Sequence, residues 1–289
     1  LTGKIQAGLI TLSHRVEWVE LRFRADFCHH REVWAQGEYM IEIHDERVGD
    51  VAVIHAVPAG RYEQPLPTIF FYHGYTSSKE VYAYFAYGLA KVGFRVVLPD
   101  CAMHGERFDG DEARRLAHFW EILKSNVDEL PALKTHFEQR GLIAGDRIGV
   151  AGASMGGMTT LGAFTRYPWV KAAASLMGSG YFTSLAQTLY PPLDAQGQPL
   201  EQSALKARLA PLVSYEVEQH WERFAGRPLL LWHGETDDVV PAVESERLAS
   251  ELRQRGLDRR LTYLTEAEVR HRITPGALNA TAAYFQGSL

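Results

Sequence analysis

The stretch RIGVAGASMGGMTTLGAF, residues 147–164, carries an apolar run into a serine set among glycines and then continues with small and apolar residues. RIGVAG has the composition of a buried strand, and MGGMTTLGAF begins a helix that closes before Tyr167-Pro168. The junction, Gly152-Ala153-Ser154-Met155-Gly156, reads G-x-S-x-G. At a strand-to-helix turn this spacing forms a nucleophile elbow, in which neighbouring backbone passes so close to the serine that only small flanking residues fit. The Ser154 hydroxyl is left exposed above the sheet edge. Free N–H groups at the start of the helix face the same spot, where they favour an oxyanion. Without partners, the pentapeptide is equally a tightly packed, glycine-rich helix start.

A serine hydroxyl is a weak nucleophile until a histidine accepts its proton, and the imidazole needs a carboxylate to fix its tautomer and stabilise its cation. At an elbow of this type the chain order is serine, acid, histidine. The apolar run PLLLWHG (228–234) is followed by ETDDVVP, which puts Asp237 and Asp238 just past a buried strand. RLTYLT (260–265) is followed by EAEVRHRITP, which puts His271 in the loop before the last helix. Both loops belong on the side of the sheet where Ser154 lies. The fourth part is FFYHGYTSS (70–78). Gly74 lets the backbone turn close to a substrate, and the N–H of Tyr75 joins that of Met155 to hold a carbonyl oxygen as it becomes negative. His73 stands on this oxyanion side and reads as a residue that shapes the loop.

Around these motifs strands and helices alternate. MIEIHDE and VAVIHAV, separated by RVGD, predict an antiparallel hairpin from Met40 onward. TIFFY (68–72), FRVVLP (94–99), RIGVAG, VKAAASLM (170–177), PLLLWHG and RLTYLT predict parallel strands buried on both faces. Helices are expected over 80–92, over 113–140 with an interruption near Pro131, over 155–166 and over 244–255. A last helix starts with Thr274 as N-cap and Pro275 at its first position. Leu116, Phe119, Trp120, Leu123, Val127 and Leu130 recur at helical spacing as a core-facing stripe. The pattern predicts an α/β fold, with helices on both faces of a mostly parallel eight-stranded sheet. Residues 178–227 break the rhythm and are expected to form a small lid near the site, the plainer reading being a surface excursion that covers core.

The chain has 289 residues, 46% of them hydrophobic, a formal charge of −5 and a pI near 6.2. That balance gives no basic footprint for nucleic acid, and no stretch is apolar enough for a membrane span. Cys28 and Cys101 supply neither a disulfide framework nor a CxxC motif, which fits a reducing, cytoplasmic setting. Residues 1–39 read as an extension outside the core fold, with Met40 as a natural start. His29 and His30 there lack the three or four converging ligands of a metal site.

With these four parts placed, the chain from Met40 to its end resembles the α/β-hydrolase superfamily. HGYTSSKEVYAYFA, LPDCAMHGERF, GASMGGMTTLG, MGSGYFTSLA, LLLWHGETDDVVP and VRHRITPGAL resemble, in the same order, a small carboxylesterase related to the dienelactone hydrolase and prolyl oligopeptidase-like branches. The resemblance implies hydrolysis of a small-molecule carboxylic ester through an acyl-serine, with no cofactor and no metal. It implies Ser154 as nucleophile, Asp237 rather than Asp238 as acid, His271 as base, and Tyr75 and Met155 as backbone oxyanion donors. Where many relatives have glycine before the histidine, this chain has Arg270, which predicts a more crowded or more positive mouth. Dienelactone hydrolases carry cysteine at the elbow; here it is serine, and Cys101 reads as a small residue beside the site. His104 and Arg107 read as loop organisers first and as contacts for a substrate carboxylate second. Tyr75, Met103, Met155, Tyr181 and Phe182 are candidates for an apolar acyl pocket, and short-chain esters are expected. Thioesters, acetyl groups and peptides are open to the same residues, and a noncatalytic ligand-binding protein is the rival from another class.

Overall fold

The serine-bearing run lies in the middle of an eight-stranded sheet. The computed structural model describes residues 40–194 and 196–289, so Cys28, His29, His30 and the rest of the 1–39 extension lie outside the described residues. The hairpin comprises β1 (Ile41–Val48) and β2 (Val51–Pro58), closed by Gly49 and Asp50 alone. Gly49 has φ +59°, as a two-residue turn matching the strand twist requires. β1 therefore runs closer to the turn than the RVGD spacer suggested, taking in Arg47 and Val48, while β2 starts at Val51 as expected. β3 (Leu66–Tyr72), β4 (Arg95–Pro99), β5 (Ile143–Ala153), β6 (Ala172–Leu176), β7 (Leu229–Gly234) and β8 (Leu261–Glu266) follow, in the spatial order β1-β2-β4-β3-β5-β6-β7-β8. β1, β2 and β4 pair antiparallel, and every pairing from β4 through β3 to β8 is parallel.

This order places the site. The chain leaves β3 for β4 on one side and later enters β5 on the other. The connections after β3 and β5 therefore diverge and open a crevice at their carboxyl ends, where open parallel sheets bind ligands. Tyr75 follows β3, and Ser154 follows β5.

Side chains alternate between two cores. On one face Phe70, Tyr72 and Val150 pack beneath α3 (Phe119–Gln139), α4 (Met155–Arg166) and α7 (Val243–Gln254). On the other, Ile69, Phe71 and Ala151 pack against α1 (Ala83–Lys91) and α8 (Pro275–Gln286). Helix α4 is buried along nearly its whole length, which is why its sequence is small and apolar all round. Thr274 caps α8 by accepting the Ala277 N–H at 3.0 Å, with Pro275 behind it.

Two expectations change. No residue of the RLTYLT strand is fully buried, because β8 ends the sheet and pairs only with β7. The 113–140 helix breaks at His118, giving α2 (Glu112–Ala117) and α3, while Pro131 sits inside α3. Pro131 has no N–H for the Val127 carbonyl four residues back. The Tyr167 hydroxyl donates to that carbonyl at 3.1 Å instead, so the proline leaves no buried acceptor unmet.

The 178–227 segment holds α5 (Phe182–Leu185), α6 (Gln202–Val213) and two short 3-10 turns. Leu209, Leu212, Val217 and Phe224 join the core beside α3 and α4, whereas Leu189 and Tyr190 reach the crevice. No helix among the described residues is long and apolar enough to cross a membrane.

Candidate active site

Ser154 has φ +58° and ψ −119°, a backbone conformation that ordinary residues adopt only under strain. The glycines around it show what holds it there. A Cβ on Gly152 would lie 2.4 Å from the Gly156 carbonyl oxygen, and one on Gly156 would lie 2.0 Å from that of Tyr72. A Cβ on Gly157 would lie 2.7 Å from the Leu176 oxygen. Helix α4 thus starts in backbone contact with β3, β5 and β6, and the Ser154 N–H donates to Leu176 O at 2.9 Å. The side chain points out of this junction and is half-buried.

His271 Nε2 lies 2.8 Å from Ser154 Oγ, and its Nδ1 lies 2.8 and 2.9 Å from the two carboxylate oxygens of Asp237. The consistent assignment has Nδ1–H donating to Asp237 and Nε2 accepting the serine proton. The loops that carry the two residues are tied together. Thr236 N–H donates to Val269 O at 3.1 Å, and a Cβ on Gly234 would lie 2.4 Å from that same oxygen. The Asp237 side chain is fully buried. Burial alone would raise its carboxyl, but His233, His271 and the Val239 N–H bind the charged form and hold it well below the usual carboxylate range. His233 is a partner the sequence reading did not single out. Its Nε2 donates to Val240 O at 2.9 Å and stands 3.3 Å from Asp237, while Nδ1 meets Ser245 Oγ at 2.7 Å.

Asp238 lies outside this chain of bonds. It is half-exposed and pairs with Arg270. The expected positive mouth is therefore offset, since the Arg270 charge is matched by its neighbour.

The Tyr75 and Met155 N–H groups have no partner within the protein among the described residues, which leaves both donors free beside Ser154. Buried bonds shape the Tyr75 loop. His73 Nδ1 donates to Gly74 O at 2.8 Å, and its Nε2 accepts the Cys101 N–H at 3.0 Å. His104 Nε2 accepts the Thr76 N–H at 3.0 Å, and its Nδ1 donates to Ala102 O at 2.8 Å. Each needs one unprotonated nitrogen, and burial pulls both histidines down to about 4. Asp100, wholly buried, accepts from the Lys79 and Glu106 N–H groups at 3.0 Å each. Arg107 is spent on Glu129 and the Asp100 carbonyl. The organiser reading of His104 and Arg107 therefore fits their contacts. Asp100 and Lys79 are part of the same scaffold, and a buried lysine is the signal that sequence alone could not give. Burial pushes the Cys101 thiol well up, away from thiolate chemistry.

Glu80, Asp100 and Glu106 approach closely enough to hold a cation, but the Lys79 ammonium already lies among them.

Two cavities meet at Ser154 and His271, with Tyr75 in the wall of both. One, about 220 Å³, is lined by Val81, Tyr82, Tyr84, Met177 and Ile273 among others. The second, about 200 Å³, is lined by Phe119, Leu189, Tyr190, Val239 and Val240. Of the five residues considered for an acyl pocket, only Tyr75 lines either cavity. Met155, Tyr181 and Phe182 are core, and Met103 borders neither.

The fold and site define an α/β-hydrolase, and comparison with known proteins specifies the family. The prolyl oligopeptidase family model matches residues 84–284, and the chain belongs to that family. It is 48% identical over 250 residues to esterase YjfP of Escherichia coli (strain K12), a match covering 86% of this chain and 100% of that protein. It is 36% identical over 252 residues to YitV of Bacillus subtilis (strain 168), covering 86% of this chain and 99% of that one. The crystal structure of TT1662 from Thermus thermophilus superposes with a TM-score of 0.67 at 22% identity, over 86% of this chain and 98% of the other. This chain is a hydrolase of the esterase type.

Proposed function

We propose that this enzyme is a serine carboxylesterase that hydrolyses short-chain esters through an acyl-enzyme on Ser154. The observation that carries the reading is the unbroken hydrogen-bond chain from Asp237 through His271 to Ser154, beside two unpaired N–H groups. Ser154 Oγ attacks the ester carbonyl while its proton passes to His271 Nε2. The Asp237 carboxylate stabilises the imidazolium, and the Tyr75 and Met155 N–H groups hold the tetrahedral oxyanion. The C–O bond to the alcohol then breaks as His271 returns the proton to the departing oxygen. Water, deprotonated by the same imidazole, attacks the acyl-serine and releases the acid.

Two features support esters of small acids. The relatives matched along their whole length include a named esterase, although the family name refers to peptides. Each cavity is also smaller than the roughly 300–1,000 Å³ of pockets for drug-sized ligands. A cytoplasmic setting completes the proposal, supported by the two-cysteine composition and the buried, unpaired Cys101. The test is steady-state hydrolysis of 4-nitrophenyl esters of increasing acyl length, wild type beside Ser154→Ala. The reading expects the highest kcat/KM at short chains and loss of several orders of magnitude in the variant. Substantial turnover by folded Ser154→Ala, or a maximum at long chains, would sink it.

A further inference from the structure

Elsewhere in the fold, buried Arg95 and part-buried Arg227 and Arg107 direct their guanidinium groups at fixed acceptors. Arg95 donates to the carbonyls of Leu142, Tyr62 and Gln64, Arg227 to those of Val170, Phe164, Arg223 and Tyr167, and Arg107 to Glu129. Arg115, on α2, is different. It is 8% exposed, its Nε is buried without a hydrogen-bond partner, and no carboxylate pairs with it among the described residues. Its guanidinium instead lies 4.1 Å from the ring centre of Phe108 and 5.5 Å from that of Tyr75. Ring faces attract the cation but leave unmet the donors that radiate in the guanidinium plane. A planar fork of free N–H donors matches a carboxylate.

The position of Arg115 gives this vacancy a use. Tyr75 links Arg115 to the reacting serine: Tyr75 lines both cavities, and Arg115, which lines neither, packs against its ring. That ring also packs against Phe119 and Tyr190, at 5.2 and 5.1 Å between centres, which form the wall of the second cavity. An acyl chain bound there would lie along an aromatic wall, and a chain long enough to pass the Tyr75 ring would meet the cation packed against it. Arg270, the arginine expected at the mouth, is already matched by Asp238.

We propose that Arg115 selects esters whose acyl chain ends in a carboxylate, that is, monoesters of short dicarboxylic acids. This rests on the esterase reading of Ser154, so the test has one readout that depends on turnover and one that does not. In the first, kcat/KM is measured for 4-nitrophenyl butyrate and 4-nitrophenyl hemiglutarate with wild type, Arg115→Met and Arg115→Lys. Met keeps the apolar stem between the two rings, and Lys restores the charge without the fork. The anionic-to-neutral ratio is expected to fall on the order of tenfold or more in Arg115→Met, mainly through KM, with partial recovery in Arg115→Lys. An unchanged ratio, whether both rates persist or fall together, overturns the proposal. In the second, calorimetric binding of glutarate is measured with Ser154→Ala and with Ser154→Ala/Arg115→Met, after both are shown to melt cooperatively. Binding that disappears with Arg115 supports the site. No binding to the first protein, or equal binding to both, overturns it. Failure of wild type to hydrolyse either ester would instead count against the esterase reading, and glutarate binding would still decide the role of Arg115.

Discussion

Replacing Asp237 by asparagine should cost most of the turnover while leaving the loop in place, because both carboxylate oxygens face His271 but only one of them holds the loop. Oδ1 accepts the Val239 and Val240 N–H groups, each at 2.9 Å, and an asparagine oxygen can take over both bonds. The amide nitrogen then occupies the place of Oδ2, facing His271 Nδ1 and, 3.3 Å away, His233 Nε2. A donor there makes His271 present an unprotonated Nδ1 and carry its proton on Nε2, the nitrogen that must accept from Ser154. The imidazolium of the transition state also loses its buried counter-charge. Both effects act on kcat, and a loss of roughly 10⁴-fold, about 5 kcal/mol, is expected with KM nearly unchanged. Two donors facing each other at His233 should also cost about 1–3 kcal/mol of stability. The assay is 4-nitrophenyl butyrate hydrolysis with a melting curve for each protein, and Asp238→Asn serves as the control. Asp238 is half-exposed and bound to Arg270, so its variant should keep most of the activity. An Asp237→Asn enzyme retaining a tenth of wild-type kcat, or an Asp238→Asn enzyme that loses more, would refute the assignment of the acid.

Gly156→Ala should lower stability by about 1–3 kcal/mol and reduce activity, since its Cβ would meet the Tyr72 carbonyl at 2.0 Å and α4 would have to lift from β3; thermal melting checks this. His104→Ala removes the acceptor for the Thr76 N–H beside the oxyanion loop. It should lower kcat by less than the ~10²–10³-fold of a lost oxyanion donor, measurable with neutral esters. Stability should decline below about pH 6.5. His55, His73 and His104 are held down to about 4 by burial, so the unfolded chain binds more protons as pH falls from the ordinary value to the folded one. Asp237, whose folded value is depressed, adds a further loss only below the ordinary carboxylate range of roughly 4; denaturant melts from about pH 8 down to about pH 2 test both signs. Tyr190→Ala opens the second cavity and should move the best acyl chain to a longer one in the same ester series.

Much of the site was legible because the elbow constrains the residues around it. A serine forced to φ +58° tolerates only glycine where the backbones of β3, β5 and β6 converge, and that pattern survives in sequence. Asp237 and His271 were legible as polar residues just past strands, at positions fixed by chain order. The choice between Asp237 and Asp238 needed coordinates or a family pattern, because adjacent aspartates differ only in which one turns inward. The α2–α3 break was misplaced because proline is a local signal, whereas its acceptor was met from a distance by Tyr167. β8 was overcalled as buried because its composition does not reveal that it lies at an edge. Three of the supposed pocket residues proved to be core, since apolar residues near a motif carry no direction. Arg115 was not legible at all: lacking a partner is a property of the folded neighbourhood.

The central claim is that Ser154 is an activated nucleophile. The most direct measurement is peptide mass mapping after reaction with a fluorophosphonate, which phosphonylates serines whose proton is taken by a neighbouring base. The account predicts one adduct per chain, on the peptide carrying Ser154, with none in Ser154→Ala and a much slower reaction in His271→Ala. A folded wild-type protein that stays unlabelled, or that carries its adduct on another residue, would contradict it.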